Sequence, residues 1–127
     1  MDPAISAALD RGGVIDITTT GRRSGEPRRI EIVFHNVDGR IVISGMPMRE
    51  RTRAWLRNLE SDPRLTLHLK RGIVADLPAT ARVVTDEAER RELLVAVARN
   101  WGRTDIDAMV AWSPLIEVTV PGYQPGR

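Results

Sequence analysis

Arginines crowd one short stretch of this chain. Within ITTTGRRSGEPR, residues 17–28, Arg22, Arg23 and Arg28 flank a predicted turn. Guanidinium groups recognise phosphate and carboxylate groups through paired hydrogen bonds. The same stretch adds backbone freedom and a hydroxyl group through Gly21, Gly25 and Ser24. The residues predict either a cradle for a phosphate or polycarboxylate ligand or a charged, solvated hairpin tip, and the spacing alone leaves both interpretations open.

A second group of chemically useful side chains lies in the stretch RERTRAWLRNLESDP. Its pattern predicts a helix over residues 49–60, on which Trp55 and Asn58, three residues apart, share one face. These two could line a ligand site, or they could be a core tryptophan and a surface asparagine. Arg51 and Arg53 could extend the basic surface of the predicted hairpin.

Nothing in the sequence indicates catalysis by the protein's own side chains. There is no GxGxxG motif, no P-loop and no cysteine, and no serine, histidine and acid can be singled out as a triad. The only histidines, His35 and His68, lie on predicted strands. A hydrogen-bonded or solvated histidine is the ordinary interpretation, and haem ligation is the alternative for either. We predict no metal site and no identified catalytic residue, so in an enzyme a cofactor would carry the chemistry.

Composition restricts the class of protein. A chain of 127 residues, 42% hydrophobic and 28% charged, predicts one domain, over residues 1–127, with one core. The net charge is only +2, although 18 of the 19 basic residues are arginine. One Phe and one Tyr leave little for nucleic-acid bases to stack on, so we expect no nucleic-acid partner. No membrane-length apolar run or signal pattern is present, so we expect no stable membrane insertion and a cytoplasmic location.

Period-two and helical patterns alternate along the chain in an order that favours a barrel. Three closely spaced strands form a predicted meander, with a tight Asp-Gly turn before the third: residues 14–20, 28–35 and 40–44. Later strands are predicted over residues 64–70, 73–84 and 114–120.

Helices are predicted at residues 1–12, at residues 49–60 and after Thr85, which is the expected N-cap. Arg90 lies on the last of these helices, and reversing its charge is expected to do little to ligand binding at the hairpin. Residues 122–127 should be a loose tail, and Trp101 and Trp112 should be core or lid residues beside a loop. The predicted fold class is mostly β with flanking helices, as a small antiparallel barrel.

Three blocks together resemble a known family. ITTTGRRSGEPR, DGRIVISG and AWLRNLESDPRLTLHLK, in this order and spacing, resemble the deazaflavin-dependent nitroreductase family of the flavin/deazaflavin oxidoreductase superfamily. The resemblance covers roughly residues 14–84, with a weaker match to the final strand. It implies the split β-barrel fold of FMN-binding proteins. It also implies hydride transfer from the reduced deazaflavin coenzyme F420 to a small conjugated acceptor such as a quinone, a nitro compound or an enone.

The resemblance also implies a cofactor-binding site. Its hairpin residues would hold the phosphate and acidic tail of the coenzyme, and the helix beside it would contribute an aromatic ring and an amide. The loop after the third strand would lie against the deazaflavin ring. The implied cofactor-binding residues are Arg22, Arg23, Ser24, Gly25, Arg28, Gly45, Met46, Pro47, Met48, Trp55 and Asn58.

One loop departs from the family pattern. Where the family usually reads Ser-Lys-Gly-Gly, this chain reads Gly45-Met46-Pro47-Met48, which removes a cation and some backbone freedom. The alternative is therefore a non-catalytic carrier, or a split barrel that binds FMN, haem or a lipid. The partner is expected to be a small-molecule hydride acceptor, and a homodimer remains open beside a monomer.

Overall fold

Six antiparallel strands and four helices make up the part of the chain that the structure describes. The structure is a computed structural model, and it describes residues 1–49 and 52–125. The elements in chain order are α1 (Pro3–Arg11), β1 (Gly13–Thr20), β2 (Pro27–Val37), β3 (Arg40–Ser44), α2 (Ala54–Ser61), β4 (Arg64–Leu69), β5 (Ala75–Val83), α3 (Glu87–Trp101), α4 (Ile106–Trp112) and β6 (Leu115–Thr119). None of the described helices is long and apolar enough to cross a membrane.

The strands close into a barrel in the order β1-β2-β3-β6-β5-β4, and β4 returns to pair with β1. Every neighbouring pair is antiparallel. Because successive side chains of a strand point to opposite faces, Ile15, Ile17 and Thr19 turn into the barrel while Asp16 and Thr18 turn outward. The predicted meander and antiparallel barrel are confirmed, and the regions predicted from residues 28–35 and 64–70 lie on either side of β1.

Two apolar clusters stabilise this arrangement. One fills the barrel and includes Ile17, Leu67 and Ile116, all fully buried. The other lies between the sheet and the helices α3 and α4, with Leu94 and Met109 at its centre. Full burial of one such side chain contributes about 1.5–3 kcal/mol, so these clusters fix the framework on which the surface loops are held.

Polar contacts join the two ends of the chain to the barrel. The turn between β2 and β3 places Asp38 and Gly39 at positive φ, as the predicted Asp-Gly turn requires. The hydroxyl of Tyr123 donates to Asp10, 2.5 Å away, and accepts from the amide of Asn36 at 2.9 Å. The tail predicted to be loose is therefore anchored at Tyr123, and residues 126–127 lie outside the described residues.

Three helix predictions need correction. The helix predicted from residue 49 begins only at Ala54, since Arg53 is extended and its guanidinium donates to the carbonyl of Met46. Residues 50 and 51 lie outside the described residues. The N-cap of α3 is Asp86, whose carboxylate accepts from the amide of Glu89, and not Thr85. The seven-residue α4 occupies a stretch that was predicted to be a loop.

Candidate functional site

The loop between β1 and β2 is the turn that the sequence singled out. Its six residues, 21–26, close on themselves because the amide of Gly21 donates to the carbonyl of Glu26 at 2.8 Å and the amide of Gly25 donates to Gly21 at 2.8 Å. Gly25 has a φ of 72°, which favours glycine. A Cβ at Gly21 would lie 2.6 Å from the Ser24 hydroxyl, so a larger residue there would displace the loop. The backbone thus holds Arg22 and Arg23 on a defined turn, directly before Arg28 at the start of β2.

Asn58 ties this loop to the helix α2. Its amide nitrogen donates to the hydroxyl of Thr19 at 3.0 Å, and its carbonyl oxygen accepts from the backbone amide of Arg22 at 3.1 Å. The side chain is buried, with 5% of its surface exposed. The interpretation of Asn58 as a surface residue is therefore wrong. A buried amide whose removal would leave both of its partners unsatisfied is a strong positioning element for the loop.

The hairpin arginines lack the carboxylate partners that seven other described arginines have. Arg22, Arg23 and Arg28 are exposed, and no carboxylate among residues 1–49 and 52–125 lies within ion-pair distance of any of them. The one polar side-chain partner found for them is Ser24, whose hydroxyl accepts from Arg28 at 3.4 Å. Arg29, which follows directly, is paired with Asp16 at 2.9 Å. Three guanidinium groups, two on the loop and one at the start of β2, are thus available to a ligand.

A cavity of about 440 Å³ lies beneath these arginines and is called the arginine cavity. Six of the predicted site residues line it: Arg22, Arg23, Ser24, Arg28, Trp55 and Asn58. Trp55 is 8% exposed and belongs to the barrel core, so its ring serves as a fixed wall. The residues suit a polyanionic cofactor tail, since three uncompensated cations surround a glycine, Gly21, at which a side chain would collide with Ser24.

The remaining predicted site residues lie elsewhere. Met48 lines a second cavity of about 420 Å³ on the other side of the start of α2, together with Leu56, Trp112 and Leu115; we call it the methionine cavity. Gly25 lines a third cavity, together with residues of β1, β4 and β5. Gly45, Met46 and Pro47 line none of these three. The structure therefore gathers the hairpin and α2 residues and leaves the Gly45–Met48 loop apart from them.

Arginines hold the Gly45–Met48 loop in place. Arg53 donates to the carbonyl of Met46, and the guanidinium of Arg103 lies 3.2 Å from the Met46 sulfur. The guanidinium of Arg49 lies 5.6 Å from the ring centre of Trp112, within range of a cation–π contact. Trp112 is 41% exposed, so it is not the core residue that one interpretation predicted. The cations near this loop are therefore Arg49 and Arg53, which follow it in the chain, and Arg103, in the turn after α3.

Arg90 is held by backbone carbonyls and is not a free surface charge. That its reversal does little to ligand binding stays a prediction. Its guanidinium donates to the carbonyls of Val84, Met109, Val110 and Ser113, at distances between 2.6 and 3.3 Å. Burial lowers the pKa of Arg90. The side chain satisfies carbonyls at the C-terminal end of α4, where helices leave such groups unpaired. A charge reversal at Arg90 would therefore damage the fold.

Neither histidine offers an open haem ligand. His35 is buried, its Nδ1 lies 3.2 Å from the amide nitrogen of Asn100, and burial lowers its pKa. Trp101 packs edge-on against it. His68 is buried too, with both ring nitrogens engaged by Thr18 and Asp76. Among the described residues, no group of three or more His, Cys, Asp or Glu side chains is placed to hold a metal ion.

Sequence reasoning missed a buried polar residue of this region, Thr19. Thr19 lines the arginine cavity, is 3% exposed and accepts the hydrogen bond that fixes Asn58. The period-two pattern of β1 could have placed it on the inward face with Ile17, since inward polar side chains require a partner. A buried threonine at the end of an apolar strand was thus a usable signal.

Solved structures resemble this fold at low sequence identity. A conserved hypothetical protein from Mycobacterium tuberculosis aligns with a TM-score of 0.71 and 19% identity, over 95% of this chain and 81% of the other. A candidate pyridoxamine 5'-phosphate oxidase from Listeria innocua aligns with a TM-score of 0.65 and 12% identity, over 93% and 91%. An F420-H2 dependent reductase aligns with a TM-score of 0.57 and 20% identity, over 84% and 94%. These likenesses show a common split-barrel fold.

A comparison of the sequence with protein families identifies the chain more closely. Residues 2–120 match the family described as F420H(2)-dependent quinone reductase. The match spans the barrel, the arginine hairpin and all four helices. The chain therefore belongs to the F420H(2)-dependent quinone reductase family and is, as a member, an oxidoreductase.

Proposed function

We propose that this protein transfers a hydride from reduced coenzyme F420 to a small conjugated acceptor, a quinone, nitro compound or enone. The observation that carries the proposal is the arginine cavity, in which Arg22, Arg23 and Arg28 have no carboxylate partner among the described residues. A phosphate and a chain of carboxylates would form charge-assisted hydrogen bonds with these guanidinium groups. Family membership supports the same coenzyme.

The chain's own residues would bind and orient the coenzyme. The guanidinium groups of the hairpin would hold the anionic tail, and the bonds of Asn58 to Thr19 and to the Arg22 amide would keep the loop in place. When bound, the reduced deazaflavin supplies the hydride, so the protein contributes position and electrostatics. A proton for the product would come from solvent.

The methionine cavity is the candidate place for apolar, planar groups. Met48, Leu56 and Trp112 give it an apolar lining, and it lies across the start of α2 from the arginine cavity. In this proposal the Gly45–Met48 loop is close to the deazaflavin ring, while the tail lies under the hairpin. An apolar lining excludes water, which favours transfer of a hydride to the acceptor over its loss to solvent.

The alternative is a carrier of FMN, haem or a lipid. The phosphate of FMN would find the same arginines, so FMN is the serious rival. No contact of either histidine favours haem, because His35 is buried and both nitrogens of His68 are engaged. A homodimer is a further prediction, which light scattering of the purified protein tests directly.

The test is a titration of the purified protein with F420, FMN and haem, followed by absorbance and fluorescence. We expect F420 to bind most tightly and its affinity to fall as salt is raised, because exposed charges are screened over about 10 Å at 0.1 M. Reduced F420 should then be oxidised when a simple quinone is added. Binding of FMN or haem in preference to F420, or no oxidation with any of the three acceptor classes, would overturn the proposal.

A further inference from the structure

A mostly apolar cavity with several threonines in its lining lies beside β1, β4 and β5, and the proposed reductase function does not use it. The outward side chains of β1, β4 and β5 include Thr18 and Thr66, which are partners in the strand register, and Pro78, which is opposite Thr66. They line a cavity of about 590 Å³ together with Thr20 and Thr80, and we call it the threonine cavity. Its apolar surfaces come from three prolines together with Leu65 and Ala79, so it suits a small ligand with a short apolar group.

The hydroxyl of Thr18, which lines this cavity, is aligned with an imidazole and a carboxylate that are not part of the lining. The Thr18 hydroxyl lies 2.7 Å from Nε2 of His68, and Nδ1 of His68 lies 2.7 Å from the carboxylate of Asp76. His68 is 7% exposed, whereas the side chain of Asp76 is 71% exposed. Strand register holds all three groups, since His68 is opposite Asp76 in the β4–β5 pair and beside Thr18 across the β1–β4 pair.

The chemistry of the donors sets the direction of these bonds. A carboxylate only accepts hydrogen bonds, so in a neutral imidazole the proton lies on Nδ1 and faces Asp76. Nε2 then accepts from the hydroxyl of Thr18, which leaves the lone pairs of that oxygen without a partner in this chain of bonds. A nucleophile bonded to a base that a third group orients is the arrangement that activates hydroxyl groups in enzymes.

We propose that Thr18 is a nucleophile toward small activated esters bound in the threonine cavity, with His68 as the base and Asp76 as a positioning residue. The Thr18 oxygen forms a bond to the acyl carbon while its proton passes to Nε2 of His68. The bond between the acyl carbon and the leaving oxygen then breaks, and the leaving group takes the proton from His68. Attack by water, with His68 again as the base, releases the acid and restores Thr18.

The surroundings limit the range of esters. β1 pairs with β2 on one side and with β4 on the other, so its amides near Thr18 are committed to the sheet. Arg64 is the cationic side chain that lines the cavity, and its guanidinium is shared with Asp62 at 2.8 Å. Weak stabilisation of an oxyanion favours esters with a good leaving group, such as aryl esters. The activity needs no coenzyme, so it is independent of the proposed reductase function.

The experiment mixes the purified full chain with p-nitrophenyl acetate and measures both released nitrophenolate and the site of acetylation by peptide mass spectrometry. We expect a burst of nitrophenolate and an acetyl group on Thr18, while Thr66 in the same cavity remains unmodified. Acetylation only of His68, of Lys70 or of the N-terminus, or no burst above that of the unfolded chain, would overturn the proposal without reference to any variant.

Matched variants separate nucleophile, base and positioning residue. Thr18→Val should abolish the burst, Thr18→Ser should retain it, and Thr119→Val, on an exposed strand position outside the cavity, should leave it unchanged. His68→Gln should slow acetylation by roughly 100-fold, the range of general-base effects. Asp76→Asn should lower the rate with an unchanged melting temperature, and Asp76→Glu should recover part of it. An unchanged rate in both His68→Gln and Asp76→Asn would contradict the assigned roles.

Discussion

Arginines serve two opposite purposes in two regions of this protein. On the hairpin between β1 and β2, Arg22 and Arg23 have no carboxylate partner among the described residues. On the outer face of β3, β5 and β6, Arg40 and Arg82 both bind the same two carboxylates, Glu89 of α3 and Glu117 of β6. The first region leaves positive charge available, and the second neutralises it inside the protein.

The difference shows how the partners of a charge reveal its purpose. In the four-residue network of Arg40, Arg82, Glu89 and Glu117, each carboxylate lies 2.6–2.7 Å from both guanidinium groups. These bonds join α3 to the barrel, and the charges of the four side chains are paired with one another. The hairpin has an equally well-defined backbone, but its arginines have no such partners. Their guanidinium groups can therefore form ion pairs only with an external anion. Reversing or removing charge should therefore affect binding in one region and stability in the other.

The largest expected effect is on binding at the hairpin. Arg23→Glu replaces an attraction for a polyanionic tail with a repulsion, so F420 affinity should fall roughly 100-fold, about 2.7 kcal/mol, while stability changes by less than about 0.5 kcal/mol. Fluorescence titration and chemical denaturation measure the two quantities. Arg71→Glu is the matched control, since Arg71 follows β4 at the opposite end of the barrel, about 20 Å along the strands. Equal losses of affinity in both variants would remove the hairpin from the site.

The next effect is on stability in the network. Arg40→Met leaves Glu117 and Glu89, both partly exposed, to share the more exposed Arg82. We expect a loss of about 1–2 kcal/mol in the free energy of unfolding, after allowance for the partial exposure of the network. Arg22→Met serves as the matched control and should change stability by less than about 0.5 kcal/mol. A larger loss for Arg22→Met than for Arg40→Met would reverse the assignment of the two regions.

A pH dependence should follow from the same network. Bonds from Arg82 and Arg40 lower the pKa of Glu89 to about 2, and bonds from Arg40 help to lower that of Glu117. Below its ordinary pKa a carboxyl group of the unfolded chain binds a proton that the folded one does not, so stability falls as the pH drops from about 4.5 toward 2. Above that range the contribution of the network is complete.

Denaturant titrations at pH 6 and pH 3 measure this loss. The double variant Arg40→Met with Arg82→Met removes the cations that lower both pKa values, so its stability should depend less on pH over the same interval. The control is Arg22→Met with Arg23→Met, which should keep the pH dependence of the unmodified chain. Identical slopes for the two double variants would show that acid lability arises elsewhere.

Sequence patterns predict the hairpin better than the network for a physical reason. The hairpin arginines are neighbours along the chain, so their crowding is visible before folding, whereas Arg40 and Glu117 are 77 positions apart and meet only through the pairing of β3 with β6. The barrel was predictable because period-two patterns report which side chains turn inward. The role of Asn58 was not predictable. The helical pattern places it beside Trp55 but does not show that its side chain bonds to Thr19 and to the Arg22 amide.

The region around the Gly45–Met48 loop was the hardest to predict. A helical arrangement of arginines over residues 49–60 suggested one continuous helix, yet Arg53 is extended and binds the Met46 carbonyl. A contact between separate segments decided the extended conformation of Arg53. The helix α4 was missed for another reason: its seven residues are too few for a helical pattern to be distinguished from a loop. Local propensity is a weak guide wherever a side chain can satisfy the backbone of another segment.

The smallest expected effect concerns Met46, which stands where the family pattern has a lysine. By sequence alone, Met46→Lys would tighten F420 binding by adding a cation to the site. The structure predicts a much smaller change, because the Met46 side chain is 47% exposed, lies outside the arginine cavity, and has the Arg103 guanidinium 3.2 Å from its sulfur. A lysine there would approach a like charge that is already paired with Asp105.

We therefore expect Met46→Lys to change F420 affinity by less than about threefold, since exposed charges separated by water interact weakly. Titrating this variant and Arg23→Glu under the same conditions compares the contributions of the two loops to F420 affinity. A gain of tenfold or more in Met46→Lys would mean that the coenzyme tail reaches the Gly45–Met48 loop and that the loop closes on the arginine cavity when the ligand binds. In that case the arginine and methionine cavities would be separate only in the free protein. Arg53 and Arg103 would then have to be counted among the arginines that are available to the ligand.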